Sequence, residues 1–272
     1  MNDTTLTRGA RWFRALAGET ASPAPVWSGD ARLGDETARF ISVVADPQNR
    51  FPRATDNVVG LEQGWQLARA VRETIAQDAQ AATKRPIVAI VDVKSQAYGY
   101  REETLGIHLA CAAAVDAYAT ARDAGHPVIA LIVGPAMSGA FLAHGYQANR
   151  IVAIDAPGTM VHAMGKEAAA RVTRRTVEAL EALGETITPM SYSMASFARL
   201  GLLDALIKDV DGDAPDAAQI EHVREVLRAS VRSARADSTR GLAHRLESDT
   251  AKQTRAASVE VRRRLAEQWD AA

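Results

Sequence analysis

The sequence predicts an α/β protein built on a mostly parallel sheet. Short β-branched runs alternate with stretches whose apolar residues recur every three or four positions. Two of the runs, IVAIVDV (87–93) and VIALIV (128–133), are apolar almost without interruption. A strand with one wet face alternates apolar and polar residues, whereas a continuous run suits a strand covered on both faces, the usual condition in parallel sheets. With 272 residues the chain can bury a large core. It shows neither a solenoid-type repeat nor a low-complexity tract.

Each element follows from its local pattern. Residues 1–34 read as an N-terminal arm, with Trp12, Phe13 and Leu16 on one face of a short helix and a turn-rich SPAPVWSGD after it. The core begins with a strand at 40–45, followed by the turn-like DPQNRFPRA. Leu61, Trp65, Ala68, Val71 and Ile75 mark the apolar face of a helix, and Pro86 introduces the next strand. A helix starting near Glu102 follows, with Leu105, Leu109, Ala112, Val115 and Ala119 as its apolar face and Gly125 as its stop. The run at 128–133 is expected to end in a tight turn at Gly134-Pro135, before a helix whose first turn is Ser138, Gly139 and Ala140. Strands at 151–154 and 159–164 and one helix from 166 to about 183 bring the core to residue 210. From 211 to 272 the chain is charged and helical. Ile220, Val223, Val226 and Leu227, then Val259, Val261, Leu265 and Trp269, give two helices that cover the core or a neighbour.

Composition excludes several classes of function. A net charge of −1, with both signs scattered, offers no basic face for nucleic acid. No apolar run is long enough to span a membrane, and the N-terminus lacks the apolar core of a signal peptide. A single cysteine, Cys111, excludes an intrachain disulfide and fits a reducing cytoplasm. Dinucleotide and P-loop glycine motifs are absent, as is a G-x-S-x-G nucleophile elbow. DVDGDA (209–214) lacks the glycine and closing glutamate of a calcium loop. His108 and Cys111 share a helix with no further ligands nearby, so no metal site is expected.

Two glycine-bearing turns remain, each following a strand: SQAYGYREETLG, with Gly99 and Tyr100, and GPAMSGAF, with Gly134, Ser138, Gly139 and Ala140. The first N–H groups of a helix lack internal partners and carry partial positive charge. Small residues there admit a ligand close to the backbone, so the second turn is a candidate oxyanion site. Both turns also suit plain close packing, and His162 on the later strand suits an ordinary core histidine.

The order strand, glycine turn, long helix, HPV, apolar strand and SGAF resembles the carboxyltransferase branch of the crotonase superfamily. RIVAIDAPGTMVHAMG and ARLGLLDALI extend the match over roughly 35–210. VADPQNRFPRA, GLEQGWQLA and SQAYGYREETLGIHLA are similar to the gamma subunits of biotin-independent malonate decarboxylases, over nearly the whole chain. The resemblance implies a crotonase-like fold of stacked β-β-α units with C-terminal covering helices. It implies a carboxy-lyase that works with a homologous beta subunit, an acyl carrier protein subunit and a malonate/acetyl-carrier transferase subunit. The malonyl thioester would arrive on the carrier's coenzyme-A-like prosthetic arm, with no cofactor bound by this chain. Ser-Gly-Ala-Phe stands where the wider branch has Gly-Gly-Ala-Tyr, and Gln-Ala-Tyr-Gly-Tyr where it has Pro-Gly-Phe, which argues against biotin. Gly139 and Ala140 would then offer amides to the enolate or carboxylate. Gly99, Ser138 and Gly134 would contact substrate, and Tyr100 or His162 would supply a proton.

Two alternatives stay open at this stage. GPAMSGAFLAHG with TMVHAMG also resembles Clp-type serine peptidases, with Ser138 as nucleophile and His162 as base. A non-catalytic scaffold subunit is the other. On the first reading Ser138 caps its helix, and Ala140→Pro deletes one amide donor while sparing the fold.

Overall fold

In the computed structural model, which describes residues 6–20 and 22–270, the two continuous runs become the centre of a seven-stranded sheet. Strands β1 (Val26–Leu33), β2 (Glu36–Val43), β3 (Ile87–Val93), β4 (Val128–Met137), β5 (Arg150–Ile154) and β7 (Ala205–Ile207) lie in the order β1-β2-β3-β4-β5-β7. Strand β6 (Met160–His162) pairs with β4 off this path. Only β1 is antiparallel to its neighbour. Every residue of β3 and β5 is buried, as expected of strands covered on both faces.

Each face of the sheet has its own apolar layer. Helices α2 (Leu61–Gln77) and α4 (Ile107–Asp123) cover one, packing Leu67, Val71 and Tyr118 against Ile87 and Ile132. Helices α1 (Arg8–Ala17) and α9 (Ala217–Ala236) cover the other, through Trp12, Phe13, Leu16, Val223 and Leu227. The expected arm is thus part of the core: Trp12 is fully buried, and SPAPVWSGD runs into β1 rather than a loop. The boundary at 34/35 falls inside the β1–β2 hairpin.

Other expectations shift for identifiable reasons. The buried face of α4 is Ile107, Tyr118 and a row of alanines (Ala110, Ala113, Ala114, Ala117 and Ala121), while Leu105 and Leu109 are exposed. Close approach selects alanine there: a Cβ on Gly64 of α2 would lie 2.6 Å from the Ala110 carbonyl oxygen. Gly106, at φ +84°, separates α4 from a short helix α3 (Tyr100–Thr104). The helix expected from 166 to 183 is two, α6 (Lys166–Thr173) and α7 (Val177–Thr186), divided at Arg174 with φ +53°. After α8 (Met194–Arg199) and α9 come α10 (Asp249–Thr254) and α11 (Ala256–Asp270). Helix α11 leaves Val261, Leu265 and Trp269 exposed, so that stripe does not cover this chain's core.

Gly134-Pro135 does not turn. Strand β4 continues through it to Met137, pairing with β5 over residues 129–132 and with β6 over 135–137. Val91 faces Ile132 and Val93 faces Ala136, so β4 bulges against β3 between these points. A Cβ on Gly134 would sit 2.3 Å from Asp92 Oδ1. The Asp92 carboxylate is buried and accepts the Gly9 N–H at 2.8 Å, which ties α1 to the same point. Burial pushes its pKa up, against the opposing pull of the Gly9 amide and the Arg8 guanidinium.

Beyond the bulge lies α5 (Ser138–Ala143). Its C-cap, His144, is fully buried; its Nε2–H donates to the Ile90 carbonyl of β3 at 2.9 Å, and Nδ1 accepts from the Tyr118 hydroxyl of α4 at 3.0 Å. Desolvation pushes this imidazole from 6.5 down to about 4. Below the unfolded pKa the denatured chain takes up a proton that the folded chain refuses. The stability present above that pKa is therefore lost as pH falls through the folded pKa, by about 3 kcal/mol in all. Urea unfolding across that acid window should show this one-proton slope, and His144→Gln, which keeps both hydrogen bonds without titrating, should lose it. An unchanged slope in the variant would contradict the assignment.

Candidate functional site

The bulge and the second half of β4 deliver α5 to one end of the sheet. Register with β6 sets Met137 opposite His162, which brings Ser138 and His162 to the same cavity wall. That cavity measures about 450 Å³ and is otherwise chiefly apolar, with Leu142, Met190, Phe197 and Leu202 among its lining. Across α5 a second cavity of about 270 Å³ lies against α4, lined by Gln96, Ile107, Cys111 and Leu142. Gly139 lines both. Neither lining contains a lysine or arginine.

Ser138 does not cap its helix. Met137 occupies the cap position with no side-chain bond, and the Ser138 hydroxyl instead donates to the Ala163 carbonyl at 3.0 Å. Ser138 also has φ +60°, a left-handed conformation unfavourable for a residue with a Cβ. The hydrogen bond to Ala163, just past β6, and the turn from β4 into α5 hold it there.

His162 is half-buried, and burial lowers its pKa, keeping the ring neutral. Its Nδ1 sits against the Met164 backbone, 3.1 Å from the carbonyl oxygen and accepting the Met164 N–H at 3.3 Å, which leaves the neutral ring's proton on Nε2. The ring stacks on Tyr192 with centroids 4.1 Å apart, and the Tyr192 hydroxyl donates to the same Met164 carbonyl at 2.8 Å. A serine hydrolase needs its hydroxyl on the histidine and an orienting carboxylate on the other ring nitrogen. Here the hydroxyl goes to Ala163 and Nδ1 to the Met164 backbone. The peptidase arrangement is not assembled.

The other sequence candidates are distributed as follows. Ala140 follows Gly139 in α5 and is fully buried in the core, so a proline there would disturb packing as well as remove an amide. Gly134 lies within β4 against Asp92 and lines neither cavity. Gly99 caps α3, where a Cβ would approach Arg53 Nε to 2.6 Å and Glu102 Oε2 to 2.7 Å. Tyr100 is 91% exposed. The structure thus brings Ser138, Gly139 and His162 together, with the Gly99 turn on the flank and Gly134 outside. Sequence reasoning missed Tyr192, which lies far along the chain with no local signal, and Gln96, which was visible only as a lone polar residue in SQAYGY. Cys111 borders the smaller cavity, but burial and Glu103 push its thiol up to about 11, which makes it a poor nucleophile. Among the described residues no group of three or more His, Cys, Asp or Glu side chains is placed to hold a metal.

If Ser138 is held in a strained conformation, glycine should be the better replacement. Ser138→Gly and Ser138→Ala both lose the bond to Ala163, but only glycine relieves the backbone. Denaturation should find Ser138→Gly the more stable by about 0.5–1 kcal/mol. The reverse order would show that no strain is stored there.

Comparison with known proteins agrees with this architecture. A family model described as malonate decarboxylase gamma subunit matches residues 54–269. A Pseudomonas malonate decarboxylase hetero-tetramer, solved in complex with coenzyme A, contains a chain 51% identical to this one. The match covers 97% of this chain and all of that one, with a TM-score of 0.90. A chain of the Pseudomonas MdcD-MdcE hetero-dimer is 50% identical over the same shares, with a TM-score of 0.87. The Malonomonas rubra malonyl-S-ACP:biotin-protein carboxyltransferase MADD is 36% identical over 202 residues, covering 73% of this chain and 68% of the relative. The fold is the crotonase type shared by carboxyltransferases, and the chain belongs to the malonate decarboxylase gamma subunit family.

Proposed function

We propose that this chain combines with a homologous beta subunit to form the site that converts malonyl-S-acyl-carrier-protein to the acetyl thioester and carbon dioxide. The observation that carries the reading is Gly139, a backbone wall shared by two largely apolar cavities at the end of β4. Loss of carbon dioxide from a malonyl thioester places an electron pair on the α-carbon, delocalised onto the thioester oxygen as an enolate. That step needs no nucleophile. It needs fixed donors for the developing oxyanion, exclusion of water, and a proton for the carbanion.

In this reading the amides of Gly139 and Ala140 face the carboxylate or the enolate oxygen, and Ser138 and Gly99 border the bound acyl group. His162 delivers the proton from Nε2, which carries the neutral ring's proton while Nδ1 accepts the Met164 N–H. Tyr100 reaches the reacting group only where a partner covers it. Gly134 acts on the site indirectly, by setting the path of β4. Exposed Tyr98, Leu105, Leu109 and Leu142 near the cavities supply apolar surface for a partner subunit. The acyl group would be presented on a coenzyme-A-like arm by an acyl carrier subunit and loaded by a separate transferase subunit. No helix among the described residues is long and apolar enough to cross a membrane, and the single cysteine fits assembly in the cytoplasm. Biotin has no role in this scheme, although the Malonomonas relative is named for a biotin-protein acceptor.

Co-expression with the beta subunit should give a stable complex burying on the order of 2,000 Å² or more. It should decarboxylate malonyl-carrier protein in the presence of avidin, while the isolated chain is nearly inactive. His162→Ala in the complex should lower kcat roughly 10²–10⁴-fold. Full activity of the single chain, or inhibition by avidin, would overturn the scheme.

A further inference from the structure

The loop between β3 and α3 carries a carboxamide with a fixed base and no fixed partner. Its backbone is clamped to the segment before α2: Val59 N–H donates to the Ser95 carbonyl at 3.0 Å and Ala97 N–H to the Val59 carbonyl at 2.9 Å. From that base the Gln96 side chain reaches across to α5. An ideal Cβ on Gly139 would lie 2.0 Å from Gln96 Oε1 and 3.0 Å from its Cδ, so the carboxamide rests directly on the Gly139 Cα. Glycine at 139 is what admits it.

Other buried carboxamides make side-chain hydrogen bonds, although Asn57, whose Nδ2 donates to the Asp92 carbonyl, leaves its Oδ1 unpaired. Gln63 bonds to the Ala54 carbonyl and the Gly60 N–H, and Asn149 to the Val128 N–H and the Arg240 carbonyl. Half-buried Gln96, lining the smaller cavity against Gly139, finds no side-chain partner among the described residues. A cationic side chain there would stabilise the carboxylate in the ground state and so oppose its loss as neutral carbon dioxide. A neutral N–H donor can orient the group without that penalty.

We propose that Gln96 is a substrate-positioning residue whose Nε2 donates to the malonyl carboxylate at the Gly139 wall. This rests on the decarboxylase reading above. It further assigns recognition of the carboxylate, the feature that separates substrate from acetyl product, to a neutral side chain of this subunit.

The test compares wild-type, Gln96→Met, Gln96→Glu and Gly139→Ala complexes with the beta subunit, each checked for assembly by size exclusion. Gln96→Met keeps length and loses the donor. It should lower kcat/KM for malonyl-carrier protein about ten- to hundredfold, while inhibition by the acetyl thioester, which lacks the carboxylate, stays unchanged. Gln96→Glu should lose more at neutral pH and regain activity towards acid as its carboxyl protonates, a profile that a purely structural role would not produce. Wild-type kcat/KM in both Gln96 variants would overturn the inference. With Gly139→Ala impaired in the same experiment, the decarboxylase reading would still stand. If all three variants turned over normally, that reading would fall as well, because the site would lie wholly on the partner.

Discussion

Where β4 leaves its pairing with β5 and takes up β6, its backbone passes so close to the buried Asp92 carboxylate that a side chain at 134 cannot fit. The functional end of the molecule depends on that contact. Asp92, next to last in β3, accepts the Gly9 amide of α1 and lies under the field of Arg8, whose guanidinium also donates to the Val133 carbonyl at 3.1 Å. Three elements, α1, β3 and β4, therefore meet at one carboxylate. A buried carboxylate is costly unless its oxygens are served, and here the service comes from the segment that covers the far face of the sheet. Filling position 134 would push β4 off the bulge and move Ser138 and Gly139 with it.

The helix that follows is short, six residues, and holds its orientation through its ends. Ser138 at the start is held by Ala163 next to β6, and His144 at the finish by Ile90 in β3 and Tyr118 in α4. These are polar anchors in an apolar surrounding, where an unmade hydrogen bond costs more than in water. They fix the Gly139 backbone between two cavities whose linings, among the described residues, hold no lysine or arginine and one carboxylate, Glu103 in the smaller. A largely apolar, weakly charged cleft suits a reaction that begins with a carboxylate and ends with neutral carbon dioxide.

Much of this was legible in the residues. The parallel sheet follows from IVAIVDV and VIALIV, and the start of the helix at SGAF is legible at Ser138, although the strand before it runs on to Met137. What failed depended on contacts far apart in sequence. Gly134-Pro135 has the composition of a turn, and only Asp92, 42 positions earlier, makes it a bulge in a continuing strand. Leucines at helical spacing in 105–119 looked like a core face, but the close approach of α2 rewarded the alanine face instead. The arm carried its answer in Trp12 and Phe13, which are too large to leave uncovered, while β1 was hidden by the turn-forming Ser28, Gly29 and Asp30 within it. Gln96 and Tyr192 acquire meaning only from what stands opposite them.

The central claim is that the Gly139 turn of this chain contacts the reacting group rather than merely supporting a site on the partner. A crystal structure of the complex with a malonyl thioester analogue that cannot lose carbon dioxide tests this most directly. The account predicts an analogue oxygen about 3 Å from the Gly139 or Ala140 amide nitrogen, with the acyl group lying in the cleft that Ser138 and His162 border. An analogue held entirely by beta-subunit residues, with this turn out of hydrogen-bond reach, would contradict it.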